Sequence, residues 1–142
     1  MPNIHLLGMF IMLTTITFRV KALISIYTYV FLEFFVQGLL WWLPNLYTWL
    51  ILWGITMLLP KKMPIWAKSI IYPIVCALHG FAYGILYAPS QALLFGLDYN
   101  GMIAWIITGL PYDIIHGISN FVAGFLVLPL SLFLDKAIKK YK

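Results

Sequence analysis

Long apolar stretches, separated by short polar or proline-containing segments, dominate the sequence. Five such runs lie at residues 4–18, 22–40, 46–59, 69–88 and 114–134. A run of roughly 20 residues lets a helix cross about 30 Å of hydrocarbon. A sixth stretch, 101–110, is too short to span and is more typical of an interfacial or re-entrant segment. The pattern predicts an all-α membrane bundle of five transmembrane helices plus a short outer helix or re-entrant loop.

Composition supports a membrane protein and excludes an ordinary soluble domain. Of the 142 residues, 63% are hydrophobic and only 9% are charged, whereas soluble domains carry about 25% charged residues. The length suits one bundle of packed spans. We therefore predict a single transmembrane domain over residues 1–142, multi-pass in the cell membrane.

The basic residues fall into three groups along the chain. They are Arg19, Lys21, Lys61, Lys62, Lys68, Lys136, Lys139, Lys140 and Lys142. Under the positive-inside rule these groups are cytoplasmic, which places the C-terminus inside and the N-terminus outside. The net charge of +5 is then a topology signal, and we expect membrane lipid but no nucleic acid as a partner. The residues from 89 to 112 carry no basic side chain and are predicted to form a long outer loop.

Prolines contribute to the predicted borders of the spans. Pro89 and Pro111 lie at the edges of apolar runs, where a helix can end without losing an interior hydrogen bond. Pro73 and Pro129 lie inside runs and are expected to kink them. Neighbouring helices can satisfy the carbonyls that such kinks release.

The last run carries the clearest set of polar residues inside the membrane. Asp113, His116, Asn120 and Gly124 follow spacings of three, four and four, and so share one helical face. Because Asp113 and His116 come directly after Pro111, a helix N-terminus there could present free N–H groups to a ligand. Polar side chains in membrane helices either bind a ligand or hold neighbouring helices together. Both readings remain open for His116 and Asn120.

The fourth run carries an aromatic stripe beside a stripe of small residues. The first stripe is Tyr72, Cys76, His79, Tyr83 and Tyr87, and the second is Ala77, Gly80, Gly84 and Ala88. Small residues allow close approach of a neighbouring helix. The aromatic stripe is either the wall of a pocket, with His79 as a polar contact, or ordinary packing.

Glu33 is the only acidic residue inside a long apolar run. It follows Tyr29 and precedes Gln37 and Trp41 at steps of four. A buried carboxylate needs a partner, and Arg19, Lys21 and His79 are the candidates. A structural ion pair and a ligand contact are equally compatible with this position.

The motifs that mark enzymes are missing from the sequence. There is no GxxxxGK[ST], no HExxH, and the residues around Ser119 do not form a GxSxG elbow. Cys76 and His79 alone are a weak signal for metal. We therefore expect no catalysis, no metal and no cofactor. One alternative is a b-type cytochrome-like protein in which His79 and His116 ligate a haem.

The last third of the chain resembles a known family. Residues 109–121 read Gly-Leu-Pro-Tyr-Asp-Ile-Ile-His-Gly-Ile-Ser-Asn-Phe, and 128–130 read Leu-Pro-Leu. This is similar to the final helix of energy-coupling factor (ECF) transporter S components, which in one subset reads Gly-Ile-Pro-Phe-Asp-Leu-x-His followed by Gly/Ser-Asn-Phe. Looser similarities occur in the same order at 2–4, 31–33, 41–42 and 46–49.

The resemblance implies a fold, a function and partners. S components capture a vitamin or similar micronutrient from outside and deliver it through a transmembrane coupling subunit and two ABC-type ATPases. Their fold has six helices, and the first has no counterpart before Pro2 in this sequence. The substrate-binding candidates are Asp113, His116, Asn120, His79, Tyr83, Trp42 and Glu33. Rival readings are a stand-alone permease and a structural or chaperone-like membrane protein.

Overall fold

The structure, a computed structural model, describes residues 6–140, and within that range it is all-helical. The helices are α1 (Leu7–Phe18), α2 (Ala22–Gln37), α3 (Leu39–Trp42), α4 (Asn45–Leu58), α5 (Ile65–Phe95), α6 (Tyr99–Gly124) and α7 (Val127–Lys140). The predicted all-α class is confirmed for these residues. Residues 2–4, the start of the run 4–18, and Lys142 lie outside the described range.

Three helical stretches are long and apolar enough to cross a membrane. They are Leu7–Gln37, Ile65–Phe95 and Tyr99–Gly124. The first is not straight, because a 3₁₀ turn at Arg19–Lys21 interrupts it and Arg19 has a φ of 55°. Leu7 and Thr14 of α1 line one groove together with Ser25 and Tyr29 of α2. The two helices therefore lie side by side, and α2 runs back along α1. The arrangement is compatible with a multi-pass membrane protein.

The segment between the fourth and fifth apolar runs is helical, and the predicted outer loop at 89–112 is wrong. Helix α5 continues to Phe95, and α6 begins at Tyr99. The turn between them is short: Gly96 has a φ of 64°, and the Asp98 carboxylate accepts the Gly101 N–H at 2.7 Å. A capping aspartate starts a helix in this way. Residues 101–110 are therefore the first part of α6 and not a separate interfacial helix.

Prolines lie inside these helices and do not end them. Pro89 lies inside α5, and Pro111 lies inside α6. In the turn before Pro89, the Tyr47 hydroxyl of α4 donates to the Leu86 carbonyl at 2.5 Å. Contacts of this kind from neighbouring helices let membrane helices tolerate proline. Treating Pro89 and Pro111 as helix ends was the source of the error.

The last apolar run, 114–134, is two helices and not one. Helix α6 ends at Gly124, and α7 begins at Val127. The turn between the two helices consists of the apolar residues Phe125 and Leu126. The hydropathy of the sequence therefore does not indicate that the helix ends there. Asp113 and His116 consequently lie in the middle of α6, so the expected helix N-terminus beside them does not exist there.

Helices α5 and α6 form a closely packed hairpin along a seam of glycines. A Cβ at Gly80 would lie 2.8 Å from the Gly117 Cα, and one at Gly124 would lie 2.5 Å from the Pro73 Cα. Such distances leave no room for a side chain, so the backbones nearly touch. The close helix approach predicted from the small-residue stripe is confirmed at Gly80 and Gly84.

The two ends of the bundle differ in chemistry. The Arg19 guanidinium donates to the Met57 carbonyl at 2.9 Å, so the α1–α2 turn lies beside the end of α4. Lys61 and Lys62 follow directly in the α4–α5 connection. The opposite end holds the α5–α6 turn and α3. The site described below lies toward that second end.

Candidate functional site

A cavity of about 470 Å³ lies between α2, α5 and α6, and we call it the aromatic cavity. Its aromatic lining consists of Tyr29, Trp41, Trp49, Tyr83, Tyr87, Trp105 and Tyr112. Its polar lining consists of Glu33, Gln37, Thr108 and Asp113. The volume falls in the range of pockets that enclose small organic ligands, which are mostly apolar with a few placed polar groups.

Helix α5 supplies one aromatic wall. The rings of Tyr83 and Tyr87 are stacked with centroids 4.8 Å apart, and Tyr83 lies 5.3 Å from the Trp49 ring of α4. The two tyrosines are four residues apart and therefore share a helical face. Their mutual packing fixes two adjacent aromatic rings in the wall of the cavity.

Asn45 of α4 links α2 and α5 through hydrogen bonds beside the two tyrosines. It is 1% exposed and donates to the Glu33 carboxylate at 2.7 Å. Its carbonyl oxygen accepts from the Tyr83 hydroxyl at 2.9 Å. The Tyr87 hydroxyl lies 2.7 Å from this oxygen and 2.7 Å from the Trp41 carbonyl, and its single proton is shared between them. Such a connected polar network fixes the positions of all its members.

Glu33 is held by neutral donors, and the proposed pairing with Arg19, Lys21 or His79 is wrong. The Tyr29 hydroxyl and the Gln37 amide donate to one carboxylate oxygen, and Asn45 donates to the other. Arg19 instead lies beyond the opposite end of α2. The fourteen residue steps from Arg19 to Glu33 correspond to roughly 21 Å along the helix axis at 1.5 Å per residue. The carboxylate lines the aromatic cavity with three donors already in place.

Asp113 reaches the cavity across the glycine seam. It is 5% exposed, and its Oδ1 accepts the Gly84 N–H of α5 at 3.0 Å. A Cβ at position 84 would overlap the Asp113 Oδ2, so glycine is required there for the carboxylate to fit. Among the residues that the structure describes, Oδ2 has no hydrogen-bond partner.

The two membrane histidines lie beside Tyr83 rather than at the cavity surface. The Tyr83 ring centroid is 6.1 Å from that of His79 and 4.7 Å from that of His116. His79 Nε2 lies 3.0 Å from the Thr48 carbonyl. Because a carbonyl only accepts, this nitrogen carries the proton and is not available to a haem iron. His116 is 1% exposed and packs behind the aromatic wall.

Trp42 and Asn120 also lie away from the cavity lining. The Trp42 indole donates to the Val30 carbonyl at 2.5 Å, and its ring packs edge-on against Phe34. Asn120 is fully buried against α1, where a Cβ at Gly8 would lie 3.1 Å from its amide. Of the seven residues predicted to bind substrate, the cavity is lined by Glu33, Tyr83 and Asp113.

Helix α6 contributes four lining residues that the sequence did not identify as site residues. They are Trp105, Thr108, Gly109 and Tyr112, and all four were placed in the predicted loop. A signal was present: Trp105, Gly109 and Asp113 continue the four-residue spacing of the polar face upstream through Pro111. Extending the face across the proline would have found them.

The ionisable side chains in the described lining of the cavity are all acidic or phenolic. Its described lining contains two carboxylates, Glu33 and Asp113, and no lysine, arginine or histidine. Within residues 6–140 there is also no group of three or more histidine, cysteine or acidic side chains placed to hold a metal ion. The site is suited to an organic ligand that contacts aromatic rings and meets a carboxylate.

Comparison of the chain with known protein families, with curated proteins and with solved structures finds no match.

Proposed function

We propose that this chain is the substrate-capture (S) component of an ECF-type importer that binds a vitamin or similar micronutrient. The observation that carries the proposal is the aromatic cavity of about 470 Å³, which has the size and lining of a site for a small organic molecule. The resemblance of residues 109–121 to the last helix of S components supports the same reading.

The position of the cavity supports capture from outside the cell. It lies between the later part of α2, the later part of α5 and the earlier part of α6, away from the α1–α2 turn and the α4–α5 connection that carry basic residues. Basic ends of membrane proteins are cytoplasmic. In this proposal the cavity faces outward and the C-terminus is cytoplasmic.

The partners follow from what the sequence lacks. It has no P-loop, so ATP-driven import requires separate ATPase chains. In the proposal these are two ABC-type ATPases, joined through a transmembrane coupling subunit. The chain itself catalyses no reaction and only binds and releases its substrate.

Capture of a nutrient without ATP tests the proposal. Protein purified in lipid nanodiscs is mixed with water-soluble vitamins and nucleobase compounds, washed, and extracted for mass spectrometry. We expect one compound to be retained. We expect Gly109→Leu to lower its retention at least about tenfold, because the leucine fills the cavity. A Cβ at Gly109 meets no atom within 4 Å, so the variant should still fold.

The matched control and the contrary results are well defined. Gly54 of α4 also faces open space, outside the cavity lining, and Gly54→Leu should retain the compound normally. Failure to retain any compound, or equal retention by Gly109→Leu, would contradict the proposal. Uptake into vesicles containing this chain alone would instead identify a permease, whereas co-purification with an ABC ATPase pair supports the S component.

A further inference from the structure

The Asp113 carboxylate lines the aromatic cavity with its hydrogen bonding half complete. Its Oδ1 accepts the Gly84 N–H at 3.0 Å. Its Oδ2 is buried and has no partner among the residues from 6 to 140. The side chain is only 5% exposed, and a carboxylate buried in this way is stabilised by a positive charge beside it.

The chain supplies no counter-charge within the described lining. Glu33, the other carboxylate there, adds negative charge and is already bonded to Tyr29, Gln37 and Asn45. No basic side chain lines the cavity in the part of the chain that the structure describes. A cationic ligand would bring a positive charge that this described lining lacks.

The rest of the lining favours an organic cation over a metal ion. Aromatic rings attract cations through the negative potential of their faces, and Trp and Tyr are the usual components of such sites. Trp105 and Tyr112 of α6 face the cavity together with the stacked Tyr83 and Tyr87 of α5. The volume of about 470 Å³ is also far larger than a bare ion needs.

We propose that the aromatic cavity selects a ligand carrying a positive charge on or next to a ring, with the Asp113 carboxylate as its counter-ion. The inference rests on the proposed function, because it names the class of nutrient that the S component would capture. Recognition combines one charge-assisted contact at Asp113 with stacking on the tyrosine pair. Neutral and anionic nutrients lack the first contact.

Two methylated nicotinamides test the charge requirement directly. In 1-methylnicotinamide the methyl group is on the ring nitrogen and the compound is a cation, whereas the analogue methylated on the amide nitrogen is neutral. Binding to the full chain in nanodiscs is measured by quenching of tryptophan fluorescence. We expect the cation to bind at least about tenfold more tightly than the neutral analogue.

The variant Asp113→Asn separates charge from shape. It keeps the side-chain size and an oxygen for the Gly84 N–H, so we expect it to fold and to lose the preference for the cation. Asp135 of α7 is exposed, and Asp135→Asn is the matched control that should keep the preference. Three results would overturn the inference. They are equal binding of the two methylated nicotinamides, no binding of either, and a preference for the cation that survives Asp113→Asn.

The outcome can be distinguished from failure of the proposed function. If the vitamin mixture yields a retained neutral or anionic compound while the cation probe does not bind, capture stands and the charge assignment falls. If the cation probe binds through Asp113 but the mixture yields no retained compound, the charge assignment stands and nutrient capture falls.

Discussion

Replacing Gly80 with leucine should force α5 away from α6 and lower the free energy of unfolding by about 3 kcal/mol, at the upper end for an overpacked core. A Cβ at this position would lie 2.8 Å from the Gly117 Cα and 2.9 Å from both the Gly117 nitrogen and the His116 oxygen. These are backbone atoms, which cannot move aside as the end of a side chain can. Unfolding by sodium dodecyl sulfate in bicelles, followed by tryptophan fluorescence, measures the loss.

The control for this variant is the same substitution on another helix. Gly54 lies in α4, and a Cβ there meets no atom within 4 Å. Gly54→Leu gains the same helix propensity without a clash, so we expect little change or slight stabilisation. Overlapping unfolding curves for Gly80→Leu and the unaltered protein would show that the two helices do not depend on this close contact.

The glycine seam was visible in the sequence because it follows helical periodicity. The same is true of the face that holds Asp113, His116 and Asn120: all three are buried, while Ile114 and Ile118 between them are exposed. A helix places residues three and four apart on one side whatever surrounds it. Local spacing was therefore sufficient to assign this face correctly.

Helix ends were harder to predict, because they depend on neighbours far away in the sequence. Helix α5 continues through Pro89 to Phe95, and in the turn before this proline the Tyr47 hydroxyl of α4 donates to the Leu86 carbonyl. Nothing within the 69–88 run indicates that this hydroxyl is in reach. The break after Gly124 was hidden for the opposite reason, because the turn itself is apolar.

The polar network around Glu33 was unpredictable for a related reason. The predicted basic partner of Glu33 was chosen by charge alone. Arg19, one of the candidates, lies beyond the other end of α2. All three actual donors are neutral: Tyr29 and Gln37 lie one helical turn away, and Asn45 is twelve residues away in sequence. Whether it meets Glu33 depends on how α2, α3 and α4 are packed. Polar satisfaction across helices is a property of the tertiary structure.

Replacing Asn45 with leucine should lower the free energy of unfolding by about 3 kcal/mol, because it leaves a Glu33 carboxylate oxygen and the Tyr83 hydroxyl without their partner. The Tyr87 hydroxyl keeps the Trp41 carbonyl as its acceptor. The side chain joins Glu33 of α2 to Tyr83 and Tyr87 of α5 with three hydrogen bonds of 2.7–2.9 Å. A leucine of similar volume fills the space but offers no donor or acceptor. The same detergent titration measures the effect.

A double-mutant cycle distinguishes loss of this network from a simple change of shape. Asn100 is exposed near the start of α6, so Asn100→Leu should leave the unfolding curve nearly unchanged. Adding Glu33→Leu to Asn45→Leu removes the stranded carboxylate. The pair should therefore cost less than the sum of the single changes, by about 1–3 kcal/mol for side chains in direct contact. Additive losses would mean that the Glu33–Asn45 contact contributes nothing to the packing of α2 against α4, and that the aromatic wall is held in place by ring contacts alone.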